Sequence, residues 1–145
     1  MKKILILMMV VFSTIAYSQE TTPYIAAGLS MSNAGVGDFN SNSYPSAEIG
    51  IMRNNFTLAA VFGRNNLLDA DNSGYWTEGK TAYSFPIGVV NGYALLGIGA
   101  YFDGGMFIEY GFGVSKDFNN NLGGFIQVSN WDVINYITPG FYIMF

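Results

Sequence analysis

MFIEYGFGVSK, residues 106–116, decides the fold. Met106, Ile108, Tyr110, Phe112 and Val114 fall on one face of an extended chain, and Glu109, Gly111, Gly113 and Ser115 on the other. Successive side chains of a strand point to opposite sides, so this period-two pattern reads as β-structure with one greasy face. The second face is small and polar, with a single carboxylate. A strand of a water-soluble barrel would carry many charges on the face opposite its core. Here the bulky apolar residues form the outer face, and the small residues suit the tapered interior of a narrow barrel.

Seven further segments of about the same length repeat the pattern: residues 24–32, 44–53, 56–63, 76–87, 93–102, 122–130 and 134–145. Ile25, Ala27, Leu29 and Met31 share a face, as do Ala47, Ile49 and Ile51; Phe56, Leu58, Ala60 and Phe62; Tyr83, Phe85 and Ile87; and Ile126 and Val128. In the fifth segment Leu95 and Leu96 are adjacent, so periodicity leaves its phase open. Strands of roughly ten residues are what a membrane-crossing barrel needs. No water satisfies a backbone within lipid, so such a sheet must close on itself. The expected fold is all-β, a closed antiparallel up-and-down barrel of eight strands. The competing reading is a soluble secreted sandwich or lipocalin-like barrel.

The N-terminus adds a destination. Lys2 and Lys3 precede a nearly unbroken apolar run over residues 4–15, and Ala16 and Ser18 place small residues at −3 and −1 of a cleavage site. This predicts a signal peptide, residues 1–18, removed to leave residues 19–145 as one barrel domain. The mature chain would keep four basic residues against ten acidic ones. An acidic chain without a basic cluster is not a nucleic-acid binder. Charged residues make up 11% of the sequence, under half the share in an ordinary soluble domain. There is no cysteine, hence no disulfide and no lipid-modified N-terminal Cys.

The connections predict an orientation. Residues 33–43 and 64–75 are the longest and are rich in Asn, Asp, Ser and Gly, whereas Arg53-Asn54-Asn55 is tight and Asn91-Gly92 is a strong hairpin signal. Long loops outside and short turns inside would put both termini in the periplasm. The connection over 117–121 is somewhat long for the periplasmic side. Trp76, Tyr75, Tyr83, Tyr93, Tyr136 and Trp131 lie near strand ends and are expected to form an interfacial aromatic girdle.

With these features the chain, from about Tyr24 onward, resembles the small outer-membrane barrels of the OmpX and OmpA-transmembrane-domain type. The most specific shared feature is the last strand, where Ile137, Pro139, Phe141, Ile143 and Phe145 alternate and the chain ends on an aromatic. The resemblance implies an outer membrane location in a Gram-negative envelope, contact with its lipid, and an ending (Phe141, Ile143, Phe145) read by the barrel-assembly machinery. Two departures stand out. Ile143 replaces the aromatic usual two residues before the end, and Pro139 removes a ladder donor inside the strand.

Barrels of similar architecture include phospholipases, lipid A deacylases and palmitoyltransferases, and omptin-type proteases, each understood to use histidine. This chain has none. A hydroxyl nucleophile needs an adjacent base, and nothing else titrates near neutrality unperturbed. The remaining route is a carboxylate pair or a Ser–Lys pair; Glu48 and Glu109 could divide acid and base roles, and a lumen hydrogen-bond network is the better reading of them. Parity places Glu48, Lys80 and Glu109 inward at similar depth, with Gln127, Tyr101, water or, from the rim, Arg64 able to share the negative excess. Gly97-x-Gly99 and Gly111-x-Gly113 lack the Lys-Ser/Thr and helix of a phosphate loop and read as lumen glycines beside bulky neighbours such as Tyr101 and Phe107. Asp69, Asp71 and Asn72 lack the Gly and closing Glu of a calcium loop. The expected function is therefore non-enzymatic and without cofactor or metal: a monomeric envelope barrel, or one that presents residues 33–43 and 64–75 to an extracellular partner. The alternative is a conduit for small or hydrophobic ligands, although eight strands leave an interior just wide enough for side chains.

Overall fold

The computed structural model describes residues 21–32, 43–64, 74–131 and 134–145. Eight strands, β1 (Thr21–Ser32), β2 (Ser43–Arg53), β3 (Phe56–Arg64), β4 (Tyr75–Ile87), β5 (Val90–Tyr101), β6 (Met106–Asp117), β7 (Leu122–Trp131) and β8 (Ile134–Met144), form one closed barrel in chain order. Every neighbour pair is antiparallel, and β1 pairs with β8 to complete the ring. Closure leaves no edge with unpaired backbone groups, the condition for a sheet whose outer face meets lipid. Among the described residues no helix is long and apolar enough to cross a membrane, so any crossing is by strands.

Outside β5 the parity expected from sequence holds in every strand. Ile25, Ile49, Phe62, Ile108, Phe112, Ile126 and Phe141 are exposed on the outer face, while Ser30, Glu109, Gln127 and Ser129 are buried inside. The open phase of β5 resolves with Leu96 and Ile98 outward and Leu95 inward. Phe141, Ile143 and Phe145 face outward, and Tyr142 is buried in the lumen.

Three local expectations are corrected. The β4–β5 hairpin turns at Gly88-Val89, between the paired residues Ile87 and Val90, so Asn91-Gly92 lies inside β5, opposite Pro86 and Phe85. Gly88 has φ of 63°, which supplies the positive angle that a two-residue hairpin of the II′ kind requires at its first position. Gly92 serves a different need: a side chain there would run into Ile87 and the ring of Phe85. Second, the 117–121 connection is shorter than expected, because β6 continues through Asp117. Asn119 Oδ1 accepts bonds from the backbone N–H of Asn121 (2.9 Å) and Leu122 (2.8 Å), and the Asn121 side chain donates to the Met144 carbonyl (3.0 Å). That turn is thus fastened to the end of β8. Third, the aromatic girdle is only partly outside. Tyr75 and Tyr83 are exposed, but Trp76, Trp131 and Tyr136 are 2%, 5% and 4% exposed and point into the barrel, as does Tyr93. Parity, not nearness to a strand end, decides which way a ring points.

Pro139 marks the seam. The β1–β8 register runs from Tyr24↔Met144 to Gly28↔Gly140 and resumes at Met31↔Ile137, leaving Leu29 and Ser30 without ladder partners on β8. Proline has no N–H to give there. The Ser30 and Thr138 hydroxyls bridge the gap inside the barrel at 2.8 Å. The expected cleavage site at Ala16 and Ser18, the faint calcium pattern at Asp69, Asp71 and Asn72, and most of the two long connections lie outside the described residues.

Candidate functional site

The lumen has three levels. At the end where β1 leads into residues 33–42 and β3 into residues 65–73, here called the loop end, rings from six strands meet in an aromatic plug. Trp76 and Phe107 are the largest fully buried side chains. Trp131 lies 4.7 Å from Trp76, 5.0 Å from Phe107 and 4.4 Å from Tyr136, ring centre to ring centre, and Tyr44 abuts Tyr136 at 5.4 Å. Backbone room makes this possible: Trp76 leans over Gly63 on β3 and Phe107 over Gly99 on β5, where any side chain would collide with the ring. The reading of Gly99 as a lumen glycine beside Phe107 is therefore correct.

The middle level holds the polar cluster. All four residues expected there are inward, and the structure sorts them into two groups. Lys80 donates to Glu48 Oε2 in a salt bridge, and the Tyr24 hydroxyl donates to Glu48 Oε1. Lys80 reaches Glu48 across β3 where the intervening inward residue, Ala59, is small. Glu109 Oε1 instead accepts from the Gln127 amide at 2.9 Å, with Ser129 Oγ 3.4 Å from the same nitrogen. Arg64 does not join them; its guanidinium lies over Tyr75 at 5.9 Å. Tyr101 packs on Phe107 in the plug.

Sequence reasoning missed Glu78. It is 3% exposed and leans over Gly97, the residue that pairs with Lys80 on one side and Glu109 on the other. The signal was available, since Glu78 shares the parity of Lys80 two residues away. Its Oε1 has no hydrogen-bond partner among the described residues, and neither do the indole N–H groups of Trp76 and Trp131. All three residues border a void of about 20 Å³ that also touches Glu48, Lys80 and Glu109. That is room for about one water molecule. Among the described residues no three potential ligands are arranged to hold a metal ion. Chemically, the level is a set of carboxylates tied down by an ammonium, a phenol and an amide. It bridges strands rather than presenting a free base to a substrate.

The third level, at the end where β1 begins and β8 ends, is an open vestibule. A cavity of about 270 Å³ runs from the Glu48–Lys80 pair to the rim, where Asn54, Asn55 and Met144 border it. Its walls include Tyr24, Tyr93, Phe125, Tyr142 and Asp117. The Tyr142 hydroxyl donates to Asp117 Oδ1.

No protein-family model matches the sequence, and no curated protein matches it. Solved structures do resemble it in fold. A de novo designed transmembrane β-barrel superposes with a TM-score of 0.71 at 13% identity, over 86% of this chain and 95% of that one. The N-terminal β-barrel domain of Pseudomonas aeruginosa OprF gives 0.69 at 15% identity, over 86% and 97%. Neisserial surface protein A gives 0.58 at 16% identity, over 86% and 97%. At these identities the likeness speaks to the fold: this chain has the architecture of small transmembrane β-barrels.

Proposed function

We propose that this chain is a non-enzymatic integral barrel of a Gram-negative outer membrane, monomeric, serving the envelope structurally or presenting residues 33–43 and 64–75 to an extracellular partner. The observation that carries the reading is the inverted polarity of the wall. Glu48, Glu78, Lys80 and Glu109 are inside, and each of the eight strands exposes large apolar side chains on its outer face. A surface of that kind and extent is stable only against lipid or another apolar phase. The plug favours a structural role over a conduit. A solute entering the lumen would meet Trp76, Phe107, Trp131 and Tyr136 packed ring on ring.

On this reading Phe141, Ile143 and Phe145 form the outward ending that the insertion machinery recognises, and Ser18 is the last residue of a removed leader. Envelope fractionation with N-terminal sequencing tests it. The expected result is a chain beginning at Gln19 in the outer-membrane fraction, migrating faster on a cold detergent gel than after boiling. Recovery as a soluble periplasmic protein would sink the membrane reading. Stable single-channel steps in a planar bilayer would replace the structural role with the conduit.

A further inference from the structure

The vestibule has features that a barrel wall does not require. Its volume is just under the usual range of small-molecule pockets. It is blind, because the Glu48–Lys80 pair forms its floor and the plug lies beyond. Three tyrosines from different strands line it. Each lies against a glycine of the neighbouring strand, Tyr24 over Gly50, Tyr93 over Gly113 and Tyr142 over Gly123. A ring laid along a glycine backbone turns its free face into the cavity.

The charge inside is one-sided. Glu48, Glu109 and Asp117 face the lumen with Lys80 alone to balance them, among the described residues. Arg53 and Lys116, at the same end, fall on the outward parity of β2 and β6. A narrow cleft with low-dielectric walls focuses such a field and concentrates counter-ions in it. An anion is repelled by this arrangement. Among the described residues no three potential ligands cage an inorganic cation. A cation with an organic body fits on both counts, since its charge is attracted to aromatic faces and its carbon body to the apolar wall.

We propose that the vestibule is a binding site for a small organic ammonium ion entering from the end where β1 begins and β8 ends. Its charged head is held by Asp117 and the faces of Tyr93 and Tyr142, and its alkyl body lies toward Phe125 and Met52. Asp117 is the anchor because it sits at the mouth with only Oδ1 engaged, by the Tyr142 hydroxyl, whereas Tyr24 and Lys80 engage both oxygens of Glu48. This inference needs only the lumen and stands apart from the envelope role.

The test is a titration of the full-length protein, purified in an uncharged maltoside detergent, followed by amide NMR. The probes are butylammonium, butanol and butyrate. Saturable shifts confined to the vestibule, at Gly113, Ser115 and Gly123, are expected with butylammonium and not with the other two. Asp117→Asn is expected to weaken binding about tenfold, the loss of one charge-assisted bond. Asp103→Asn, in the turn at the opposite end, is expected to leave it unchanged. Raised ionic strength should weaken binding in the unmutated protein, a readout that does not depend on any variant folding. Equal shifts from butanol and butylammonium, non-saturating shifts, or binding indifferent to both salt and Asp117→Asn would overturn the proposal. The cold-gel mobility of each variant separates loss of binding from loss of the barrel.

Discussion

At the loop end, Trp76 leans over Gly63 and Phe107 over Gly99; at the other end, Tyr24 leans over Gly50, Tyr93 over Gly113 and Tyr142 over Gly123. Both ends use one device, a large ring set against a glycine on the next strand. The first end is filled and the second is open. The backbone does not explain this, because the same eight strands wall both. The side chains do. The rings of the plug have centres 4.4 to 5.8 Å apart and pack on each other. Two of the three vestibule tyrosines are instead tied back by their hydroxyls, Tyr24 to Glu48 and Tyr142 to Asp117. A ring tethered to the wall does not reach the centre. The hydroxyls of Tyr24 and Tyr142, tied to carboxylates of the wall, thus keep a cavity at this end, while the rings of the plug pack on each other.

The contrast is broken most forcefully at the plug. Trp131→Ala removes the ring that touches Trp76, Phe107 and Tyr136 together. Its expected cost is about 4 kcal/mol, within the range for deleting a large buried aromatic. Tyr93→Ala borders space that is already open and is expected to cost about 1 kcal/mol, mostly transfer of lost apolar area. Urea unfolding in detergent micelles measures both. Equal losses would mean that the two ends are packed alike and that the vestibule collapses onto its walls.

The floor between the two ends comes next. Lys80→Met leaves Glu48 with the Tyr24 hydroxyl alone, in a lumen that already holds an excess of carboxylates. Breaking a buried pair by removing one partner costs about 3–5 kcal/mol. The lower value, about 3 kcal/mol, is expected here because the two side chains keep 12% and 11% exposure. Adding Glu48→Gln to Lys80→Met is expected to restore part of that loss. Asp103→Asn, in an exposed turn, serves as the neutral control. If Lys80→Met unfolds at the same urea concentration as the control, the ion pair contributes nothing to stability and the vestibule has no firm floor.

These residues also show what one sequence contains. Alternation is a property of the extended backbone, so Glu48, Lys80, Glu109 and Gln127 were placed inside by counting in twos, and the strand ends fell within a few residues. The same counting places Trp76 and Glu78 inside, since both share the parity of Lys80. For Trp76 that parity competes with its place near a strand end, where a ring suggests a membrane interface. What parity does not contain is the stagger between strands. That stagger decides that Lys80 meets Glu48 across β3 and that Glu109 is left to Gln127, so a single depth-matched cluster becomes two groups. The hairpin at Gly88 was hidden for a related reason. Two glycines four residues apart are both turn signals, and only register shows that Gly88 takes the positive φ while Gly92 makes room for Phe85.

The smallest effect probes the shared device itself. An alanine at Gly63 places its methyl against the indole of Trp76, which has Phe107 and Trp131 behind it and no room to retreat. An alanine at Gly113 meets the phenol end of Tyr93, which has the vestibule to move into. Overpacking a filled site costs about 1–3 kcal/mol through forced rotamers and shifted backbone. Gly63→Ala is expected near 2 kcal/mol, at about the middle of that range. At Gly113 the strain is relieved by ring movement, and alanine also narrows the unfolded chain, a gain of about 0.4–1 kcal/mol. Gly113→Ala is therefore expected within about 0.5 kcal/mol of the unmutated protein, with the Tyr93 ring resonances displaced while the Trp76 indole signal stays in place. Gly63→Ala is expected to do the reverse, displacing the Trp76 signal and sparing Tyr93. If Gly113→Ala costs as much as Gly63→Ala, Tyr93 has no freedom, and the cavity beside it is bounded by a wall as rigid as the plug.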